Sequence, residues 1–194
     1  MKEKVWMVVF VLVLGSLLTF ALVRVDAYTA PFIAKNQAKK LQISILKTLD
    51  IPFTEEDVNE VFTKKVQTES IGEEDSYYIA EESGDIVFRF LGSGLWGPIE
   101  GTLALAPDLE TIKGISIIHQ EETPGLGGRI AEDDFLNRFK TKKISPTLTL
   151  LSPGKAVREN EVDGISGATL SCKAFVAIIN SQTQKYVSLI KESK

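Results

Sequence analysis

The sequence holds a single cysteine, Cys172, and a single histidine, His119. One thiol cannot form an internal disulfide, so the redox compartment is left unmarked. One imidazole argues against a multi-histidine metal centre, and no Cys/His cluster has metal-ligand spacing. With 22 Lys and Arg against 26 Asp and Glu the net charge is −4. No Lys/Arg stripe with interleaved aromatics appears, which excludes a strongly basic nucleic-acid binder. Internal repeats and low-complexity tracts are missing as well.

What is present is a chain of 194 residues, 44% of them hydrophobic, enough for one ordinary domain with a sizeable core. It opens on "VWMVVFVLVLGSLLTFALV", Val5 to Val23, without a charge. As a helix this run rises by roughly 28 Å, the hydrocarbon thickness of a bilayer. The alternative is a cleaved signal peptide, with "VDA" at 25–27 as the cleavage site, but the run exceeds the usual length of a signal core. Residues 1–27 are therefore expected to form a retained transmembrane anchor and 28–194 a separate domain. Lys2 and Lys4 favour a cytoplasmic N-terminus, yet Arg24, Lys35, Lys39 and Lys40 lie on the other side, so charge counting does not decide the orientation. With the N-terminus inside, the domain faces the periplasm or exterior. The anchor carries three basic and two acidic side chains, which leaves the domain at −5 and without a polybasic grip on anionic lipid.

Along the domain, residues 29–49 read as a helix with Leu41, Ile45 and Leu49 on its apolar face, ended by "DIP" at 50–52. Thr54 and Asp57 resemble a capping box opening a helix that carries Val58, Val61, Phe62 and Val66. A loop is expected at 71–75. The period then changes to that of strands at 77–82, 85–92, 99–106 and 112–120. A short helix is expected at 132–140, a strand at 146–151, and a closing helix from Leu170 to Ile190. The sum is an α+β domain: central, antiparallel-rich strands with helices at both ends, preceded by one transmembrane helix.

Three glycine-rich loops stand out. "GSGLWGPIEG" at 92–101 satisfies G-x-G-x-x-G in letters, but a strand rather than a helix follows Pro98, so a dinucleotide fold is rejected. A tight hairpin exposing Trp96 remains, or a tryptophan that only covers the edge of the core. "HQEETPGLGGRI" at 119–130 places a Pro124–Gly125 turn among three glycines, where backbone can approach a flat or phosphorylated ligand closely, or it is an ordinary acidic loop. "DGISGATLS" at 163–171 precedes the closing helix. Its free amides favour an anion, or Ser166 or Thr169 simply caps the helix. Gly164-x-Ser166-x-Ala168 approximates a nucleophile elbow, but a hydrolase needs a later histidine and none follows residue 119.

Together and in this order, behind one anchor, "GLWGP" at 94–98, "ETPGLG" at 122–127 and "DGISGAT" at 163–169 resemble the FMN-binding domain of the Rnf G-subunit and Nqr C-subunit family. The resemblance runs from anchor to closing helix. It implies FMN carried through a phosphoester bond on Thr169 and installed by a separate flavin transferase, with Asp163, Ser166, Gly167 and Ala168 as the recognition signal. It places Glu122, Thr123, Leu126 and Gly127, with Leu95 and Trp96, near the flavin. Cys172 is read as packing. The implied function is electron relay within a membrane-bound, ion-translocating oxidoreductase in the inner membrane, alongside other membrane subunits. At 194 residues the compact chain favours the Rnf G-type over the longer Nqr C-type; a free-standing tethered flavoprotein and a non-redox scaffold are the other readings. No catalytic acid or base is needed, because the cofactor does the redox chemistry.

Overall fold

The structure is a computed structural model that describes residues 2–71 and 75–192. The middle of the loop expected at 71–75 lies outside the described residues. Contacts divide the chain into two units, Met1–Lys39 and Lys40–Lys194. The first holds most of α1 (Lys2–Thr48), whose side chains from Val5 to Val25 are all exposed. Mean hydropathy reaches 2.6 over an 18-residue window of α1, long and apolar enough to cross a membrane. The helix continues past the expected boundary at residue 27, with Pro31 inside it.

The second unit is built on five antiparallel strands in sequential order: β1 (Val66–Ile71), β2 (Asp75–Ala80), β3 (Ile86–Ser93), β4 (Pro98–Leu105) and β5 (Ile112–Gln120). Alternation along the central strands sorts side chains to two faces. On one face Phe88, Phe90, Leu103 and Leu105 pack against α4 (Thr169–Glu192) and against α3 (Asp133–Leu136) with the 3-10 turn after it. On the other, Val87 and Ala104 meet Ile45 and Leu46 of α1 and Val58 of α2 (Val58–Lys65). Both faces are covered along Ile86, Val87 and Phe88, which is why "IVF" reads as an apolar run, interrupted before Phe90 by the exposed Arg89. The same second face carries three buried hydroxyls: the Thr102 hydroxyl lies 2.7 Å from those of both Ser44 and Thr48. A short parallel pair, β6 (Thr149–Leu151) and β7 (Glu161–Asp163), leads into α4.

The expected strands at 85–92, 99–106 and 112–120, the α3 region and the closing helix all lie where the sequence puts them. Val66 does not belong to the second helix. It opens β1, an edge strand buried only at its two ends, whose exposed middle carries no strand-like alternation. The capping box is half formed: Thr54 N–H donates to Asp57 Oδ1 at 2.6 Å, but the Asp57 side chain caps no amide of α2.

α4 buries Cys172, Phe175, Val176, Ile179, Thr183, Tyr186 and Ile190, a helical stripe facing the sheet. Phe175 sits fully buried at its centre, with ring centroids 5.9 Å from Phe90, 5.9 Å from Phe135 and 5.5 Å from Phe139. Phe175→Ala is expected to destabilise the domain by about 3–5 kcal/mol. Gln184→Ala on the exposed side of the same helix should stay within about 0.5 kcal/mol of the parent. Thermal or urea unfolding of the detergent-solubilised chain measures both.

Candidate functional site

The three glycine-rich loops converge at the N-terminus of α4. The first is the β3–β4 hairpin, closed by the Gly94 N–H donating to Gly97 O at 2.8 Å. No helix opens there, as the rejection of a dinucleotide fold requires. The hairpin leaves Leu95 exposed and Trp96 73% exposed. The second turns at Pro124–Gly125: Leu126 N–H donates to Thr123 O at 3.1 Å, and Gly125 has φ +74, the geometry of a type II turn. A 3-10 turn, Gly127–Ala131, follows and packs against α4. Thr123 and Leu126 are exposed. The third loop runs from β7 into α4 through Gly167, at φ +85.

Glu122 ties them together. Only 3% exposed, it accepts the backbone N–H of Leu95 at 2.7 Å and of Trp96 at 3.1 Å through Oε1. Its Oε2 accepts the Ser171 hydroxyl of α4 at 2.5 Å. Its own N–H donates to the Gln120 side chain at 2.6 Å. The carboxylate thus joins hairpin, second loop and helix. Gly94 and Gly127 both lie against this carboxylate, and a Cβ on either would collide with it. Glu122 therefore acts through the loops it holds.

Asp163 also acts on backbone. Its Oδ1 accepts the N–H groups of Lys155 at 2.8 Å and Ala156 at 2.9 Å. These bonds, assisted by the charge of Arg138, hold its pKa below the ordinary aspartate value. Arg138 donates through Nη1 to the carbonyls of Asp163 at 3.1 Å and Gly164 at 3.0 Å, fixing the entry to the motif.

Ser166, Gly167 and Thr169 are exposed, while Ala168 is buried under the turn. The first intrahelical bond of α4 is Cys172 N–H to Ala168 O at 2.9 Å, so Thr169 is the first helical residue. Its amide and those of Leu170 and Ser171 have no partner within the helix. Among the described residues, neither the Ser166 nor the Thr169 hydroxyl makes a hydrogen bond, so the capping alternative is not realised. An accessible hydroxyl therefore sits where a helix terminus favours a phosphate group. Leu95, Trp96, Leu126 and Leu170, on the loops and helix that Glu122 joins, are all exposed, and a Cβ on Gly167 would lie 3.9 Å from Leu126 Cδ2. These features fit a flavin mononucleotide, a flat apolar ring on a phosphate tail. His119 stands apart on β5, exposed, with Nε2 3.2 Å from Glu121 Oε1. Cys172 is buried, and burial raises its thiol pKa.

Sequence reasoning missed Ser171, Gln120, Arg138 and Leu170. Ser171 and Arg138 are ordinary polar residues whose partners lie far along the chain, and Gln120 accepts the amide of Glu122 two residues on, a contact that no motif marks. Leu170 carried a signal, because it falls off the buried stripe that begins at Cys172.

Glu122→Ala leaves two backbone donors and one hydroxyl unpartnered and is expected to lower stability by about 2–4 kcal/mol. Glu122→Gln, which retains an acceptor, should lose less; denaturant unfolding ranks the two. Asp163 has a folded pKa below its unfolded one, so its contribution is present above the ordinary carboxylate range and lost as pH falls through the folded value. Asp163→Ala should loosen residues 154–157 at neutral pH, as acidification does in the parent, read by amide hydrogen exchange of Lys155 and Ala156.

The chain is similar to the C-subunit of the Na(+)-translocating NADH-quinone reductase of Haemophilus ducreyi, 38% identical over 105 residues, 50% of this chain and 41% of that one. Its counterpart in Neisseria meningitidis serogroup A is 39% identical over 95 residues, 46% of this chain and 37% of that one. The match thus spans less than half the length of these relatives. Among solved structures, the same C-subunit from Parabacteroides distasonis superposes with a TM-score of 0.71 at 26% identity, covering 81% of this chain and 94% of that one. NqrC of Shewanella oneidensis shares the fold, with a TM-score of 0.63 at 20% identity over 74% of this chain and 91% of that one. The expected preference for the Rnf G-type is not supported. These relatives are all of the Nqr C-type. Residues 94–184, which contain "GLWGP", "ETPGLG", "DGISGAT" and the first part of α4, match the family model described as FMN-binding domain.

Proposed function

We propose that the chain is an FMN-bearing electron-transfer subunit of an Nqr-type, ion-translocating oxidoreductase, with the flavin phosphate esterified to the Thr169 hydroxyl. The single observation that carries this reading is that hydroxyl itself: exposed, without a hydrogen-bond partner among the described residues, and set on the first residue of α4 within the matched domain. Bound flavin supplies the redox chemistry. The chain's residues attach and surround it. The open amides of α4 offset the phosphate charge, and Leu95, Trp96, Leu126 and Leu170 supply apolar surface for the ring. A flavin transferase installs the group, with Ser166, Gly167 and Ala168 clearing the approach to Thr169. α1 crosses the inner membrane once, and the domain faces the periplasm beside the other membrane subunits of the complex.

Coexpression with a flavin transferase is expected to add the mass of FMN less one water, and to give a fluorescent band that survives denaturing electrophoresis. Thr169→Ala should abolish both while unfolding like the parent. Retention of the band in that variant overturns the attachment site. Purification from native membranes with Nqr rather than Rnf subunits tests the parent complex.

A further inference from the structure

Between Arg138 and Arg158 the chain carries six cationic side chains and no Asp or Glu, in a protein of net charge −4. Three of the six are neutralised by ion pairs: Arg138 with Asp134 at 2.6 Å, Lys140 with Asp50 at 2.7 Å and Lys143 with Glu159 at 2.9 Å. Of the other three, Lys155 and Arg158 lie on one loop and Lys142 reaches it from an earlier segment. Lys155 makes no ion pair among the described residues, and the Arg158 side chain is 81% exposed, its Nε a loose 3.7 Å from Glu161. Lys142 Nζ reaches the Arg158 carbonyl at 3.2 Å.

Between Lys155 and Arg158 stands Val157, 89% exposed, more than any other exposed large apolar residue among the described residues, those of α1 included. A single exposed valine on a mobile loop would call for no explanation. This one is held. Asp163 accepts the N–H groups of residues 155 and 156, and Glu161 accepts those of Val157 and Arg158, each at 3.0 Å. Two carboxylates thus fix four successive amides, which neutralises no lysine and stiffens an apolar tip between cations. Pre-ordering a tip in this way lowers the entropy lost when it docks. The anchor on one side of the tip is Asp163, the residue that opens "DGISGAT".

We infer that the 155–158 loop, with Val157 as its apolar tip and Lys142, Lys155 and Arg158 around it, is the docking element for the transferase that modifies Thr169, a protein surface with an apolar recess rimmed by carboxylates. The inference rests on the proposed attachment at Thr169. In that transfer the Thr169 oxygen forms a bond to phosphorus, the phosphoanhydride of a flavin dinucleotide donor breaks, the nucleoside monophosphate leaves, and the hydroxyl proton passes to solvent. Asp163 is then a positioning residue, holding the loop without touching the reacting atoms.

The test is the kinetics of flavin addition to the full-length, detergent-solubilised chain by purified transferase and flavin dinucleotide, followed by intact mass. Val157→Asp and the double variant Lys155→Glu/Arg158→Glu are expected to raise the KM for the chain about tenfold or more, with kcat at saturation and the unfolding midpoint unchanged. Added salt should raise the parent's KM more than that of the double variant. Parent-like KM values in both variants overturn the docking loop, as does parent KM combined with lost binding to phosphatidylglycerol vesicles, which would assign the loop to lipid. A parent chain that gains no mass on Thr169 overturns instead the attachment reading on which the inference rests.

Discussion

A carboxylate shut away from water must find donors within the protein, and Glu122 finds them on elements far apart in the sequence. The hairpin amides, the second loop and the first turn of α4 are held at one point. The sheet fixes where the hairpin and β5 end, and the aromatic cluster around Phe175 fixes α4, but neither dictates how the loops meet. The buried acid does, and two glycines follow from it because nothing larger fits beside its oxygens. The hairpin that carries the exposed Trp96 and the helix that begins at Thr169 are thereby tied through one side chain.

Much of the scaffold was legible in the sequence, because burial imposes periodicity. β3 and β4 are largely buried and carry the branched and aromatic residues of strands, β5 keeps Ile112 and Ile115 inward, and α4 keeps a helical stripe from Cys172 to Ile190. β1 and β7 were not legible. An edge strand with an exposed middle carries little alternation, and a three-residue parallel strand is too short to show a period. The motif residues at the site were legible as a set, but their separate tasks were not. The resemblance implies that Glu122 lies near a flavin and that Asp163 belongs to a recognition signal. Their hydrogen bonds to backbone amides, and that of Glu122 to the Ser171 hydroxyl, are tasks that only the folded arrangement displays.

The two acids use one device at different depths. Glu122, buried, bonds amides of one loop and a hydroxyl of a helix; Asp163, nearer the surface, bonds two consecutive amides of a neighbouring loop. Each converts a flexible, glycine-containing segment into a fixed contour without committing an apolar side chain to it. The apolar groups Leu95, Trp96, Leu126 and Leu170 are thereby left facing outward.

Because Thr169 occupies the first turn of α4 rather than a capping position, its oxygen takes no part in closing the helix. Esterifying it breaks no bond on which the domain relies. Under the proposed attachment, folding and maturation are then separable in time: the polypeptide can complete its core first and acquire colour afterwards.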